Sequence, residues 1–145
     1  MSSGPRFRAG LAKLRLLIVA LSVVIVARLA VAAQRSRRLE RHIVKLRDRA
    51  ASPSRTLVHD LREIAWSVSA TARLVPGATC LTQALAGDWL LARRGRTGEI
   101  QLSLPVGEAS EGFRPHAWLI CNGHIVLGGT QADYDGHRFF GAARG

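Results

Sequence analysis

The chain has 145 residues, 48% of them hydrophobic, and a formal net charge of +11. That apolar content is enough for a core, which excludes general disorder, and the length suits one compact domain with an appendage. Two cysteines, Cys80 and Cys121, do not make a disulfide framework, so a reducing, cytoplasmic setting is expected.

Residues 1–56 hold 13 Lys/Arg against only Glu40 and Asp48, whereas residues 57–145 hold 8 Lys/Arg against 8 Asp/Glu. The whole basic excess therefore belongs to the N-terminal segment, and an anionic partner would meet that end first. The plain alternative is a solvated basic face. Nucleic acid is not an expected partner, because no aromatic or glycine interleaving accompanies the charge.

The first element is the apolar run Leu14–Ala33, in which Arg15 and Arg28 leave only the 12 residues Leu16–Ala27 uncharged. A helix of that length covers ~18 Å, short of the ~30 Å hydrocarbon core. A buried or membrane-surface helix is favoured over a span, although Arg28 could snorkel. Next, Leu39, Ile43 and Leu46 recur among arginines, the pattern of an amphipathic helix with a basic face. A break at Ala50–Ser54 sets the expected boundary between a helical segment, residues 1–52, and a domain at 53–145. Ser52-Pro53 reads as the start of a third helix, with Leu57, Leu61, Ile64 and Val68 on one face. Val75-Pro76-Gly77 ends it.

A fourth helix follows, with Thr79 as N-cap, Cys80 at its first position, Leu81, Ala84, Leu85 and Leu91 inward, and Gly95 just past its end. Beyond Gly95 the period becomes alternating. Ile100, Leu102 and Leu104 alternate with Gln101 and Ser103 in a strand, and Pro105–Arg114 is a loop. His116, Trp118 and Ile120 share one face of a second strand, with Ala117, Leu119 and Cys121 on the other. Asn122-Gly123 is a hairpin turn into a third strand, His124–Leu127, which Gly128-Gly129 closes. Helices followed by an antiparallel meander make an α+β fold. Pro115 puts the start of the His116 strand at or after itself, at a sheet edge.

A thiol at a helix start meets unpaired N–H groups that favour the thiolate, the reactive form. A cysteine hydrolase also needs a base, and His116 supplies one if its strand packs beside that helix start. A packed cysteine and a core histidine are the bland alternatives. Cys121 faces away from His116 and reads as structural; Trp118 reads as core packing. His42, His59, His124 and His137 show no ligand spacing with the cysteines, so no metal or cofactor is expected.

From about Leu57 to Gly129 the chain resembles the transglutaminase-like leader peptidases of lasso-peptide biosynthesis. The resemblance is carried by LVPGATCLTQALAGDWLLARRG, EIQLSLPVG, FRPHAW and the N-G-x-x-V-L-G-G hairpin. It implies a transglutaminase/papain-like core in which Cys80 is the nucleophile and His116 the base. It further implies removal of the leader from a ribosomally made precursor, after which an ATP-dependent synthetase, the lasso cyclase, joins the new amine to a side-chain carboxylate. The arginine-rich helices before Leu57 lack the strands of a fused recognition domain, so the chain resembles the split form, which depends on a separate leader-recognition protein. The family's third catalytic member, commonly an aspartate, falls near Gly128 here. Asp133 is the favoured substitute, with Asp135, Asn122 or a simple dyad as alternatives. Two other functions stay open: an acyltransferase using the same acyl-enzyme, and a non-enzymatic scaffold in peripheral membrane contact through the N-terminal helices.

Overall fold

The computed structural model describes residues 4–105 and 115–140; residues 106–114 of the expected loop, with Phe113 and Arg114 of FRPHAW, lie outside them. Four helices come first: α1 (Pro5–Ala32), α2 (Ser36–Arg49), α3 (Leu57–Ala72) and α4 (Cys80–Arg93). The strands β1 (Glu99–Pro105), β2 (His116–Cys121) and β3 (His124–Leu127) follow, then a short α5 (Gln131–Asp135) and β4 (His137–Phe140). The result is a mostly helical α+β fold with one four-stranded antiparallel sheet in the order β3-β2-β1-β4.

Arg15 and Arg28 do not interrupt α1, because both lie at its surface rather than in its buried face, and Arg28 Nε donates to the Pro76 carbonyl at 3.3 Å. The guanidinium lies against Gly77, whose φ of 73° closes the turn leading into α4. Helix α2 turns Leu39 and Ile43 inward, as its pattern predicts. Helix α3 starts at Leu57, four residues later than Pro53 suggests. Its N-cap is Thr56, whose hydroxyl accepts from the His59 N–H; a β-region cap with a hydroxyl at this distance outcompetes the Ser-Pro signal. The helices share a core that includes Val24, Ile43, Ile64, Val68, Leu85 and Leu91.

Helix α4 lies directly on the sheet. Cys80, Ala84, Gly87 and Leu91 fall on one stripe of the helix. At Gly87 a Cβ would come within 2.5 Å of Leu119 and 2.7 Å of Leu127, so glycine permits the close approach. The opposite sheet face is covered by an aromatic cluster around the fully buried Trp118, with Tyr134, His137 and Phe139 from the last two elements. Neither α5 nor β4 follows from the alternation of the sequence, since five and four residues are too few to establish a period. Strand β2 is interior rather than at an edge: its first residue pairs with Ser103 on β1, and Pro115 stands just outside the ladder, where its missing N–H costs nothing. The Asn122-Gly123 turn has both φ values positive, at 49° and 77°, as a two-residue hairpin requires.

Buried charges tie the helices together. Asp60, 2% exposed, accepts from Arg94 at 2.8 Å and from Arg96 at 2.6 Å, while Arg94 also reaches Glu63 at 2.8 Å. The Arg-Arg-Gly-Arg stretch that ends α4 is therefore a clamp onto α3. Asp60→Ala would leave two guanidinium groups without their buried partner and should cost about 3 kcal/mol or more, read as a lowered denaturant midpoint.

A second pair, Arg47–Asp88 at 3.1 Å, joins α2 to α4. Burial pushes the Asp88 carboxyl up to about 6, outweighing the opposing pull of Arg47. The folded state thus holds this proton more tightly than the unfolded chain does. Its contribution to stability is largest in acid and falls as the pH rises from about 4 through about 6. Asp88→Asn should remove that slope, changing the wild-type-minus-variant stability between pH 4 and 7 by up to about 3 kcal/mol in chemical denaturation.

Candidate active site

Thr79 caps α4 through its hydroxyl, which accepts the Thr82 N–H at 3.3 Å, and this sets Cys80 as the first helical residue. Its own N–H has no acceptor within the helix, as helix geometry dictates. The Ala117 N–H donates to Cys80 Sγ at 3.3 Å, so an amide from β2 holds that sulfur beside the N-terminus of α4. The Pro115 carbonyl lies 4.0 Å from the sulfur, within reach of a thiol proton. Cys121 is buried in the core, and burial pushes its thiol up, away from the reactive form.

His116 opens β2 beside the same helix start, and both residues line one cleft of about 380 Å³. Ser69, Gln83 and the Gly128-Gly129 backbone complete its walls. The imidazole stands edge-on to Trp118, with centroids 4.8 Å apart. Its Nε2 lies 2.6 Å from the Gly128 carbonyl oxygen. A carbonyl only accepts, so Nε2 carries the proton and Nδ1 is the basic nitrogen of the neutral ring.

That contact explains why position 128 carries no aspartate. Gly128 has φ 124° and Gly129 has φ 150°, and a Cβ on Gly128 would come within 2.7 Å of Trp118. No side chain fits there. The backbone folds across the ring instead, and its carbonyl takes the imidazole N–H that a carboxylate would otherwise accept. Asp133 stands on the short helix α5 that follows this loop. It is the N3 residue of a capping box on α5, where its Oδ2 accepts from the Thr130 N–H at 2.8 Å and the Thr130 hydroxyl at 2.7 Å. These bonds, side chain first, hold the carboxyl below its ordinary range, with smaller help from His137 and His116. Asp135 accepts from Gln131, and Asn122 sits in the hairpin turn at the far end of β2.

The sequence reading missed two supports. Ser103, on the polar side of β1, is fully buried: it accepts the Trp118 indole N–H at 2.7 Å and bonds His137 Nδ1 at 2.8 Å. His137 in turn lies 5.5 Å from the His116 ring. Alternation on β1 makes Leu102 the apparent core residue, yet it is 40% exposed. The only available signal for the Gly128 carbonyl was the Gly-Gly pair itself, a demand for positive φ.

A helix-start cysteine and a strand-start histidine in one cleft, on a helix packed against an antiparallel sheet, form an arrangement that suits cysteine-dependent acyl chemistry. Residues 21–138, more than half of the chain, match the family model of the transglutaminase-like superfamily, and the chain belongs to that superfamily. This is a fold of cysteine proteases and acyltransferases. No curated protein and no solved structure matches the chain.

The two candidate orienting groups are separable. Asp133→Asn should leave turnover within about threefold while weakening the capping box of α5. Gly128→Ala should shift the loop and lower turnover by at least about tenfold, since misplacing the base by even ~1 Å is costly. Kinetics of both variants on one acyl substrate check this, and an aspartate placed at position 128 should not restore activity.

Proposed function

We propose that the protein is a cysteine peptidase that removes the leader from a ribosomally made lasso-type precursor. The observation that carries this reading is the shared cleft of Cys80 and His116, with the histidine tautomer fixed by the Gly128 carbonyl. Superfamily membership supports acyl chemistry on the thiol, and the His-Ala-Trp and N-G-x-x-V-L-G-G stretches support the peptide-leader substrate.

In this mechanism His116 Nδ1 takes the Sγ proton, and the thiolate attacks the scissile carbonyl carbon. The carbonyl π bond opens to an oxyanion, for which the Cys80 N–H is a donor. The imidazolium then gives its proton to the departing nitrogen, the C–N bond breaks, and the core peptide leaves with a free α-amine. Water attacks the thioester with His116 again as base, releasing the leader as a carboxylate and restoring the thiol. The free amine is then the substrate of a separate ATP-dependent synthetase. Leader recognition is assigned in this reading to a separate protein. The reaction belongs in the cytoplasm, where the precursor is made.

The test is cleavage of a precursor by the full-length chain in the presence of such a recognition protein, followed by mass spectrometry. Cys80→Ala and His116→Ala should each lower cleavage by at least ~10³-fold with unchanged circular dichroism. Wild-type turnover in Cys80→Ala would overturn the reading. A leader joined to an amine, rather than released with a free carboxylate, would assign the same site to acyl transfer.

A further inference from the structure

Helix α1 is packed inside out. Its fully buried residues are small, Ala20, Val24 and Ala27, set against α3 and α4, while most of its large ones point away and Leu16, Leu17 and Leu21 are half-buried. Phe7, Leu11, Leu14, Ile18, Ile25 and Leu29 are 42% to 63% exposed. Their spacing of three, four and seven keeps them on one line of the helix, on the side opposite the buried stripe. The line is about 33 Å long at ~1.5 Å per residue. An apolar strip of that length, interrupted only by the exposed Ser22, marks a docking surface.

Its charges say what it docks on. Arg8 and Arg15, one heptad apart, run along the flank of the strip that also carries Val26. Across the groove from Val26 and Leu29 stand Arg35, Arg38 and His42 of α2 and its N-terminus. The exposed cations of α2 extend this side, and the net excess of +11 falls within residues 1–56. A second copy of the chain would bring the same cations to the same interface, so self-association through this face is opposed by charge. The strip is a straight, convex ridge with cations beside it, suited to a flat partner that is apolar below and anionic at the level of the arginines. Although α1 is long and apolar enough to cross a bilayer, its other side is committed to the core of the fold.

We infer that α1 lies in the surface of an anionic phospholipid membrane, its outer strip in the acyl boundary and Arg8, Arg15, Arg35 and Arg38 on the headgroups. The inference is independent of the chemistry at Cys80. It places a soluble catalytic cleft on the membrane face without a transmembrane segment, by apolar burial and charge attraction together.

Flotation of the full-length chain with phosphatidylcholine vesicles, with and without phosphatidylglycerol, tests it. The chain should float with the anionic vesicles, at least about tenfold more than with the neutral ones, and added salt should reduce the difference. Leu14→Ser/Ile18→Ser/Ile25→Ser and, separately, Arg8→Glu/Arg15→Glu should each lower flotation at least about tenfold at unchanged circular dichroism. The charge variant touches no packed residue, so it remains informative if the triple variant unfolds. Failure of the wild type to float with anionic vesicles, or flotation unaffected by the charge variant, overturns the inference. So does light scattering that shows a dimer without lipid, made monomeric by the triple variant.

Discussion

The close approach of α4 to the sheet at Gly87 is the constraint on which the site depends. Cys80 and Gly87 lie seven residues apart on one stripe of the helix, so whatever fixes Gly87 against Leu119 and Leu127 also fixes the thiol against the start of β2. The Ala117 N–H then reaches the sulfur, and His116 enters the same cleft. A larger residue at 87 would lift the helix and separate two groups that lie 36 positions apart in the chain. Close packing here sets the geometry of the cleft as much as it stabilises the fold.

Ion pairs hold the rest of the frame to that contact. Asp60 and Glu63 grip the end of α4 through Arg94 and Arg96, and Asp88 grips its middle through Arg47. These pairs are buried or half-buried, where direction matters and screening is weak. Arg28 performs a related task at the other end of α4, holding the Pro76–Gly77 turn just before Cys80. The charges that interrupt the apolar pattern thus position Cys80 from behind.

The His116 ring is held by a backbone carbonyl, that of Gly128. The Gly128 carbonyl is a dipole without net charge, so it fixes the ring tautomer while offering less stabilisation to an imidazolium than an aspartate would. Thr130 and Asp133 stabilise the start of α5, which follows that loop, and the Trp118–Ser103–His137 cluster supports the ring from beneath. The position that breaks the family pattern is therefore occupied by the backbone conformation the site uses.

Where structure is local, the residues announced it. Thr79, Gly95 and Asn122-Gly123 each act through their own φ, ψ and hydroxyl chemistry, so the start and end of α4 and the hairpin were legible, as was the cysteine at a helix N-terminus. The alternation of β2 correctly put Trp118 with His116 and Cys121 opposite. Residues whose role depends on what lies across from them were not legible. Periodicity identifies faces but not their partners. Ser103 is buried because Trp118 and His137 arrive over it, Leu102 is exposed because nothing does, and β4 exists because β1 offers it an edge. In the same way the residues of α1 dictate a helical, apolar segment, but which of them meet the core follows from packing against α3 and α4. Small Ala20, Val24 and Ala27 face inward and most of the large residues face out, because close helix packing selects for size and not for hydrophobicity alone.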